Sequence, residues 1–216
     1  QEGQGPDHSS GRIERYLQMC AQDNMLVAQP STPASYFHLL REHTYTRPRR
    51  PLIVFTPKQL LRLKAACSPV EDFTSGTFQP VIGEIDDAVL AAAQEQGVDR
   101  VLLCSGRIYY DLLAHRSKTG DTSTAIVRLE QLYPLETEAI AEALAPFSGA
   151  ELVWVQDEPA NQGMWPYLAL HLPADLTGGV LPTLVSRPEA AAPAVGTAGV
   201  HRAQQEEIIG QAFTRD

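Results

Sequence analysis

The densest chemistry in this chain lies near its start, in Gly3-Gln4-Gly5-Pro6-Asp7-His8-Ser9-Ser10, a turn-rich loop running straight into apolar residues at helical spacing. The first N–H groups of a helix lack internal partners and carry the positive end of its dipole, so a carboxylate suits such a junction. His8 sits there, and an imidazole with an unperturbed pKa of about 6.5 can hydrogen-bond a carboxylate or exchange a proton near neutral pH. The same residues have a plainer reading, in which Asp7, Ser9 and Ser10 cap the helix and His8 is an exposed loop residue. On spacing alone, caps far outnumber sites.

The other histidines carry less. His38 and His43 fall in or at the end of a helical pattern, His115 near a helix C-terminus, and His171 and His201 beside loops, so each reads as structural or solvated. Glu158-Pro159-Ala160-Asn161-Gln162-Gly163 follows an apolar run ending at Val155, where α/β sheets keep binding loops, but a plain strand-to-helix turn accounts for it more simply. The sequence has no Gly-x-Gly-x-x-Gly opening a helix after a strand, no Gly-Lys-Ser/Thr phosphate loop, no Cys-x-x-Cys and no His-Glu-x-x-His. These absences argue against a self-contained dehydrogenase, kinase or zinc hydrolase.

The elements that must position these residues alternate along the chain. Ile13, Tyr16, Leu17 and Cys20 form one apolar stripe, which predicts a helix over 11–20 with Ser9 and Ser10 as natural caps. A short strand over 25–28 follows, and then a helix over 33–42 capped by Thr32 with Pro33 in its first turn. Leu52-Ile53-Val54-Phe55 reads as a strand buried on both faces, and residues 57–66 as a helix. The stretch 68–83, broken by Pro69, Gly76 and Pro80, reads as a connector holding the domain boundary. Beyond it come helix 86–96, strand 100–104, helix 108–116, strand 125–129, helix 136–147, strand 151–155 and strand 180–185. A linker over 188–199 leads to a closing helix over 200–213. Such alternation predicts an α/β fold, a three-layer α/β/α arrangement on a mostly parallel sheet.

Composition agrees with a folded globular protein, at 44% hydrophobic and 20% charged residues. With 26 acidic against 17 basic residues and a net charge of −9, no basic run could track a phosphate backbone, so nucleic acid is not an expected partner. No apolar stretch approaches the roughly 20 residues that span a bilayer. Cys20, Cys67 and Cys104 are odd in number and widely separated, which fits reduced thiols and a cytoplasmic setting. The chain opens Gln1-Glu2-Gly3 without an initiator Met, which points to a segment upstream.

Beyond patterning, Glu2-Gly3-Gln4-Gly5-Pro6-Asp7-His8-Ser9-Ser10 resembles a signature of the E1 component of 2-oxoglutarate dehydrogenase. The resemblance continues in order through Arg15-Tyr16-Leu17-Gln18-Met19-Cys20-Ala21, Ser31-Thr32-Pro33-Ala34, Pro51-Leu52-Ile53-Val54-Phe55-Thr56-Pro57-Lys58, Tyr109-Tyr110-Asp111-Leu112, Arg128-Leu129-Glu130-Gln131-Leu132 and Asp157-Glu158-Pro159-Ala160-Asn161-Gln162-Gly163. It implies that residues 1–70 are the tail of a thiamine pyrimidine-binding domain and residues 71–216 a transketolase-type C-terminal domain.

It also implies an enzyme using thiamine diphosphate and Mg2+, whose Gly-Asp-Gly anchor and activating Glu lie upstream, so that this stretch alone binds neither, holds no metal and is inactive. The implied reaction is attack of the thiamine ylid on the keto carbon of 2-oxoglutarate, loss of carbon dioxide, and transfer of the succinyl unit to the lipoyl group of E2, a step of the tricarboxylic acid cycle. Implied partners are the remainder of the E1 chain, a second E1 copy in a homodimer, and the lipoyl domain of the E2 dihydrolipoamide succinyltransferase. The resemblance assigns His8 as catalytic and substrate-binding and Ser9 as substrate-binding, which tips the earlier choice at His8 towards a site. The competing reading is a non-catalytic transketolase C-terminal module acting in assembly or regulation.

A final implication concerns an acetyl-coenzyme A activator pocket in relatives with a fused acyltransferase domain. The corresponding positions here are Leu26, Glu42, Thr77, Pro80 and Gln131, of which only Gln131 suits the ligand.

Overall fold

The computed structural model of the chain describes Ser9 and residues 11–214. In chain order the elements are α1 (Ile13–Gln18), β1 (Leu26–Ala28), α2 (Pro33–Tyr45), β2 (Leu52–Val54), α3 (Glu71–Thr74), β3 (Val81–Ile82), α4 (Asp87–Glu95), β4 (Arg100–Cys104) and α5 (Ile108–Thr119). There follow β5 (Thr124–Leu129), β6 (Gln131–Tyr133), α6 (Thr137–Leu144), β7 (Glu151–Pro159), α7 (Trp165–His171), β8 (Thr183–Arg187) and α8 (Ala198–Phe213).

The α/β expectation holds. A five-stranded sheet runs β3-β5-β4-β7-β8, with every neighbouring pair parallel except the antiparallel edge strand β3. Side chains alternate along its strands, so Val101 and Leu103 face one core while Leu102 and Cys104 face the other. The first core receives Leu17 from α1, Val89 from α4, Ile140 from α6 and Leu168 from α7. The second receives Ile108 and Leu112 from α5 and Ile208 and Ala212 from α8. Two helical layers therefore sandwich the sheet.

A second, three-stranded sheet is ordered β2-β1-β6. Its β6 comes from the later half of the chain and pairs antiparallel with β1, so residues on either side of the connector share one sheet. Buried Ser31 reinforces this junction. Its N–H and Oγ donate to Glu130 at 2.7 and 2.5 Å, its Oγ accepts from Arg128 at 3.1 Å, and its carbonyl accepts the Tyr110 hydroxyl at 2.8 Å.

Several local expectations need correction, each for a physical reason. The helix expected over 57–66 is two 3-10 turns, Lys58–Leu61 and Lys64–Ala66. Its inward residues, Leu60, Leu63 and Ala66, repeat every third position, the period of a 3-10 turn. The helix expected over 136–147 stops at Leu144 and continues as a 3-10 turn through Pro146, whose ring blocks a regular helix. The strand at Leu52 is an edge strand, half-buried and not covered on both faces. β8 starts only after Pro182, which has no N–H for the ladder. Strand β6 carried no expectation, α7 is the helix that the turn at 158–163 leads into, and the connector 68–83 holds α3 and β3.

The helix at the start of the chain is also shorter than its stripe suggested. α1 begins at Ile13, its N-cap is Arg12 in the left-handed region (φ 58°), and no side chain caps it. Ser9 is therefore not a cap, and Ser10 lies outside the described residues. With six residues, α1 offers little dipole to an anion.

Candidate functional site

In a parallel sheet, loops leaving the carboxyl ends of neighbouring strands open a crevice where successive connections depart to opposite faces. That condition is met between β4 and β7. The chain leaves β4 into α5, on the second core, and leaves β7 into α7, on the first. A cavity of about 340 Å³ lies at this point, lined by Ser105 and Arg107 after β4, by Asp157, Glu158 and Gln162 from β7 and its loop, and by Gln29, Phe55 and Pro57 beyond β1 and β2. Ser9, Arg12 and Glu14 complete it from the N-terminal side.

The loop after β7 is positioned by one amide. Gln156, buried, donates from Nε2 to the carbonyls of Pro159 and Gln162 at 3.0 and 2.8 Å, while its Oε1 accepts from Trp154 Nε1 and the Trp165 N–H at 2.9 and 3.0 Å. Gly163 turns with φ 71°, and a Cβ there would lie 2.9 Å from Glu158 Cβ, so the turn requires glycine. The Gly163 N–H donates to buried Glu14 at 3.0 Å, which ties the loop to α1.

Arg107 and Asp157 form the electrostatic floor. Arg107 Nη2 donates to both Asp157 oxygens at 3.0 and 3.2 Å, and its Nη1 donates to Asp111 at 2.8 Å. Burial would raise the Asp157 carboxyl, but the positive charge around it, that of Arg107 foremost and Arg187 contributing, outweighs it and holds the acid below the usual carboxylate range. Burial opposes the charge of Arg107 as well, and the carboxylates of Asp157 and Asp111 reverse the effect and raise its pKa. Arg187 donates from Nη1 to the Asp157 carbonyl at 2.6 Å and from Nη2 to Gln205 at 2.7 Å. Its Nη2 also lies 3.2 Å from His201 Nδ1, which must accept because a guanidinium can only donate. Burial and then the charge of Arg187 depress the His201 pKa, consistent with that neutral acceptor.

Two buried polar atoms on residues lining the cavity, Ser9 Oγ and Arg107 Nε, have nothing to bond among the described residues. A buried hydroxyl normally finds a partner, so one from outside the described chain is called for at Ser9. The opposite wall is apolar, with Tyr16 edge-on to Phe55 at 5.7 Å.

Of the two expected site residues, Ser9 lines the cavity and His8 lies outside the described residues. His38 packs inside, its Nε2 2.7 Å from the Asp72 carbonyl, and His171 stacks on Tyr167. His115 stacks on Phe213, and His201 belongs to the network beneath the site. The stretch 158–163, read from sequence as a strand-to-helix turn, does connect β7 to α7 and in addition lines the cavity through Glu158 and Gln162. Arg12, Arg107 and Asp157 were missed, although an arginine just past the end of β4 and an acid at the end of β7 carry the usual positional signal of an α/β crevice. Among the described residues no three His, Cys, Asp or Glu gather as a metal site.

Of the positions corresponding to the activator pocket, which lie elsewhere, Pro80 and Gln131 are in contact. Gln131 on β6 donates to the Pro134 carbonyl at 3.0 Å and to Glu136 at 3.2 Å, and the Pro80 carbonyl accepts the Gln131 N–H at 3.0 Å. Burial and then the neighbouring charge of Glu136 raise the Glu42 pKa, so a second carboxylate stands beside the first.

Residues 67–213 match the family described as 2-oxoglutarate dehydrogenase C-terminal, and residues 1–64 match the transketolase pyrimidine-binding domain. The chain belongs to the 2-oxoglutarate dehydrogenase C-terminal family. It is 50% identical over 214 residues to the 2-oxoglutarate dehydrogenase E1/E2 component of Corynebacterium glutamicum, a match covering 98% of this chain and 17% of that protein. It is 48% identical over 216 residues to a multifunctional 2-oxoglutarate metabolism enzyme of Mycobacterium sp. (strain JLS), again 98% and 17%. To the 2-oxoglutarate dehydrogenase E1 component of Cupriavidus necator it is 46% identical over 215 residues, 99% of this chain and 22% of that protein. The chain thus spans between 17% and 22% of the length of these relatives. In this chain the crevice between β4 and β7 is lined by residues from both matched parts, Gln29, Phe55 and Pro57 from the first and Ser105, Arg107 and Asp157 from the second.

Proposed function

We propose that this chain is the C-terminal part of a thiamine-diphosphate-dependent 2-oxoglutarate dehydrogenase E1, working in the oxidative decarboxylation of 2-oxoglutarate and succinyl transfer to the lipoyl group of E2. Its partners on this reading are the rest of the E1 chain, a second E1 copy and the E2 lipoyl domain, in a cytoplasmic complex. The single observation that supports it from the site is the buried, unbonded Ser9 hydroxyl in a polar crevice bounded by both halves of the chain.

The carbanion chemistry of this reaction belongs to thiamine diphosphate. The described residues offer no ligand set for its Mg2+, so the work assigned to this chain is that of its own side chains. His8 exchanges a proton with the substrate, and Ser9 hydrogen-bonds a substrate oxygen from an atom already withdrawn from water. The Arg107–Asp157 pair and the loop held by Gln156 keep this wall in place.

The test is decarboxylation by the complete protein with thiamine diphosphate and Mg2+, followed as carbon dioxide release from 2-oxoglutarate. His8→Ala is expected to cut turnover by roughly 10²–10⁴ and to remove one limb of the pH profile. A complete protein that never releases carbon dioxide overturns the proposal, and a His8→Ala protein with full activity between about pH 6 and 8 removes His8 from it.

A further inference from the structure

The charged groups around the cavity are unequally engaged. Asp157 is bonded by Arg107 and flanked by Arg187. Glu14 spends one oxygen on the Gly163 N–H, and Glu158 is partnered too. Arg12 differs from all of these. Its one acceptor among the described residues is the other Glu14 oxygen, at 3.5 Å, near the outer limit of a hydrogen bond, although a guanidinium carries several donors in a planar fork. Its side chain is 33% exposed and lines the same cavity as the unbonded Ser9 hydroxyl.

The backbone supports a role beyond helix capping. Arg12 has φ 58° and ψ 61°, the left-handed region, which a residue with a Cβ adopts at a cost of about 1 kcal/mol or more. Glycine would remove that strain, and no side-chain cap hydrogen bond from Arg12 offsets it. The conformation sends an arginine side chain into the wall of the crevice. Of the other arginines near the cavity, Arg107 has both Nη atoms on Asp157 and Asp111 and only Nε unbonded, and Arg187 lies behind Asp157, so neither presents a free pair of parallel donors.

We infer that Arg12 is the residue that binds the distal carboxylate of a 2-oxo dicarboxylic acid in this cavity, with the Ser9 hydroxyl as a second donor. The inference rests on the proposed function for its substrate class. Decarboxylation removes the carboxylate next to the keto carbon and leaves the distal one intact, so recognition of the distal group must persist through the reaction. A planar guanidinium fork matches a carboxylate in two parallel hydrogen bonds, which gives direction as well as charge. Glu14 sets the position of that fork while it anchors the loop after β7, so substrate reading and loop closure meet on one carboxylate.

The experiment uses the complete protein with Arg12→Gly and Arg12→Lys, assayed on 2-oxoglutarate and on 2-oxopentanoate, which has the same carbon chain without the distal carboxylate. Binding of 2-oxoglutarate is measured alongside by calorimetry. Glycine deletes the guanidinium while accepting the local backbone, so the fold is spared. The expected result is a fall of about ten- to a hundredfold in kcat/KM for 2-oxoglutarate, carried by KM, with 2-oxopentanoate unchanged and partial recovery in Arg12→Lys. Equal losses on both substrates, or none, would overturn the assignment. Should the unaltered protein bind 2-oxoglutarate through Arg12 without decarboxylating it, the proposed function fails and the Arg12 assignment stands. A protein that binds no 2-oxoglutarate overturns both.

Discussion

Glu14 on α1 accepts the Gly163 backbone N–H at 3.0 Å across 149 residues of sequence, and this bond closes the crevice on its N-terminal side. Glu14→Leu would leave a buried N–H with no acceptor, which costs about 1–3 kcal/mol. The expected fall in Tm is roughly 2–4 °C per kcal/mol for a chain of this size. Glu14→Gln, which retains an acceptor, should lose less. Thermal melts of the two variants check this, and a Leu variant that melts with the parent would show that the bond contributes nothing.

Asp157 carries a pH dependence whose sign follows from its neighbours. Its folded pKa lies below the unfolded value, so its stabilising effect is complete above about pH 4, the unfolded carboxylate range, and is lost as pH falls through the folded value. His201 acts earlier on acidification. Its folded pKa is depressed, so below about pH 6.5 the unfolded chain takes up a proton that the folded one resists, and stability declines as pH falls towards the folded value. Asp157→Ala should remove the lower part of the acid slope and cost roughly 3–5 kcal/mol near neutrality, because two buried guanidinium groups lose their shared carboxylate. His201→Gln should flatten the part just below about pH 6.5. Chemical denaturation at a series of pH values separates the two.

The layered architecture was legible in the sequence because apolar periodicity reports burial directly. The runs at Arg100–Cys104 and Thr124–Leu129 are strands with every residue buried, and α8 carries Ile208 and Ala212 into the core as its pattern required. The site was legible only in part. Ser9 stands out through its neighbours in sequence, whereas Arg107 and Asp157 come together at 3.0 Å only because β4 and β7 are adjacent. Nothing local in the sequence records that adjacency. The short β6 was hidden for the same reason, since three residues have no usable period and its partner β1 lies far away in sequence.

Taken alone, the 216-residue chain is expected to be catalytically silent and to bind a hydrophobic dye. It spans 17% to 22% of the length of its relatives, and α2 presents Tyr36, Phe37, Leu40 and Tyr45 to solvent, Tyr45 at 78% exposure. Neighbouring apolar side chains of this kind on one helix usually meet a partner surface. Steady-state carbon dioxide release by the purified chain with thiamine diphosphate and Mg2+ would contradict the first expectation. A dye-silent monomer would contradict the second and favour a standalone assembly or regulatory module.

The last prediction concerns activation by acetyl-coenzyme A. The positions corresponding to the activator pocket are Leu26, Glu42, Thr77, Pro80 and Gln131, and the structure adds a residue the sequence comparison did not include. Glu136 accepts the Gln131 side-chain amide at 3.2 Å and, after burial, its charge raises the Glu42 pKa, so the compatible residue is occupied and the charge added at these positions is negative. Each charge-assisted contact contributes about 1.5–3 kcal/mol, so replacing cations with a carboxylate pair should weaken a coenzyme A phosphate by several factors of ten. The complete protein is therefore expected to show no activation when acetyl-coenzyme A is titrated during decarboxylation. The double substitution Glu42→Arg and Glu136→Gln should introduce measurable binding, because it restores one cation and frees the Gln131 amide. Activation of the unaltered protein at roughly micromolar ligand, abolished by Gln131→Ala, would mean that the pocket works despite its acids, since a micromolar Kd corresponds to about 8 kcal/mol that these carboxylates should not allow.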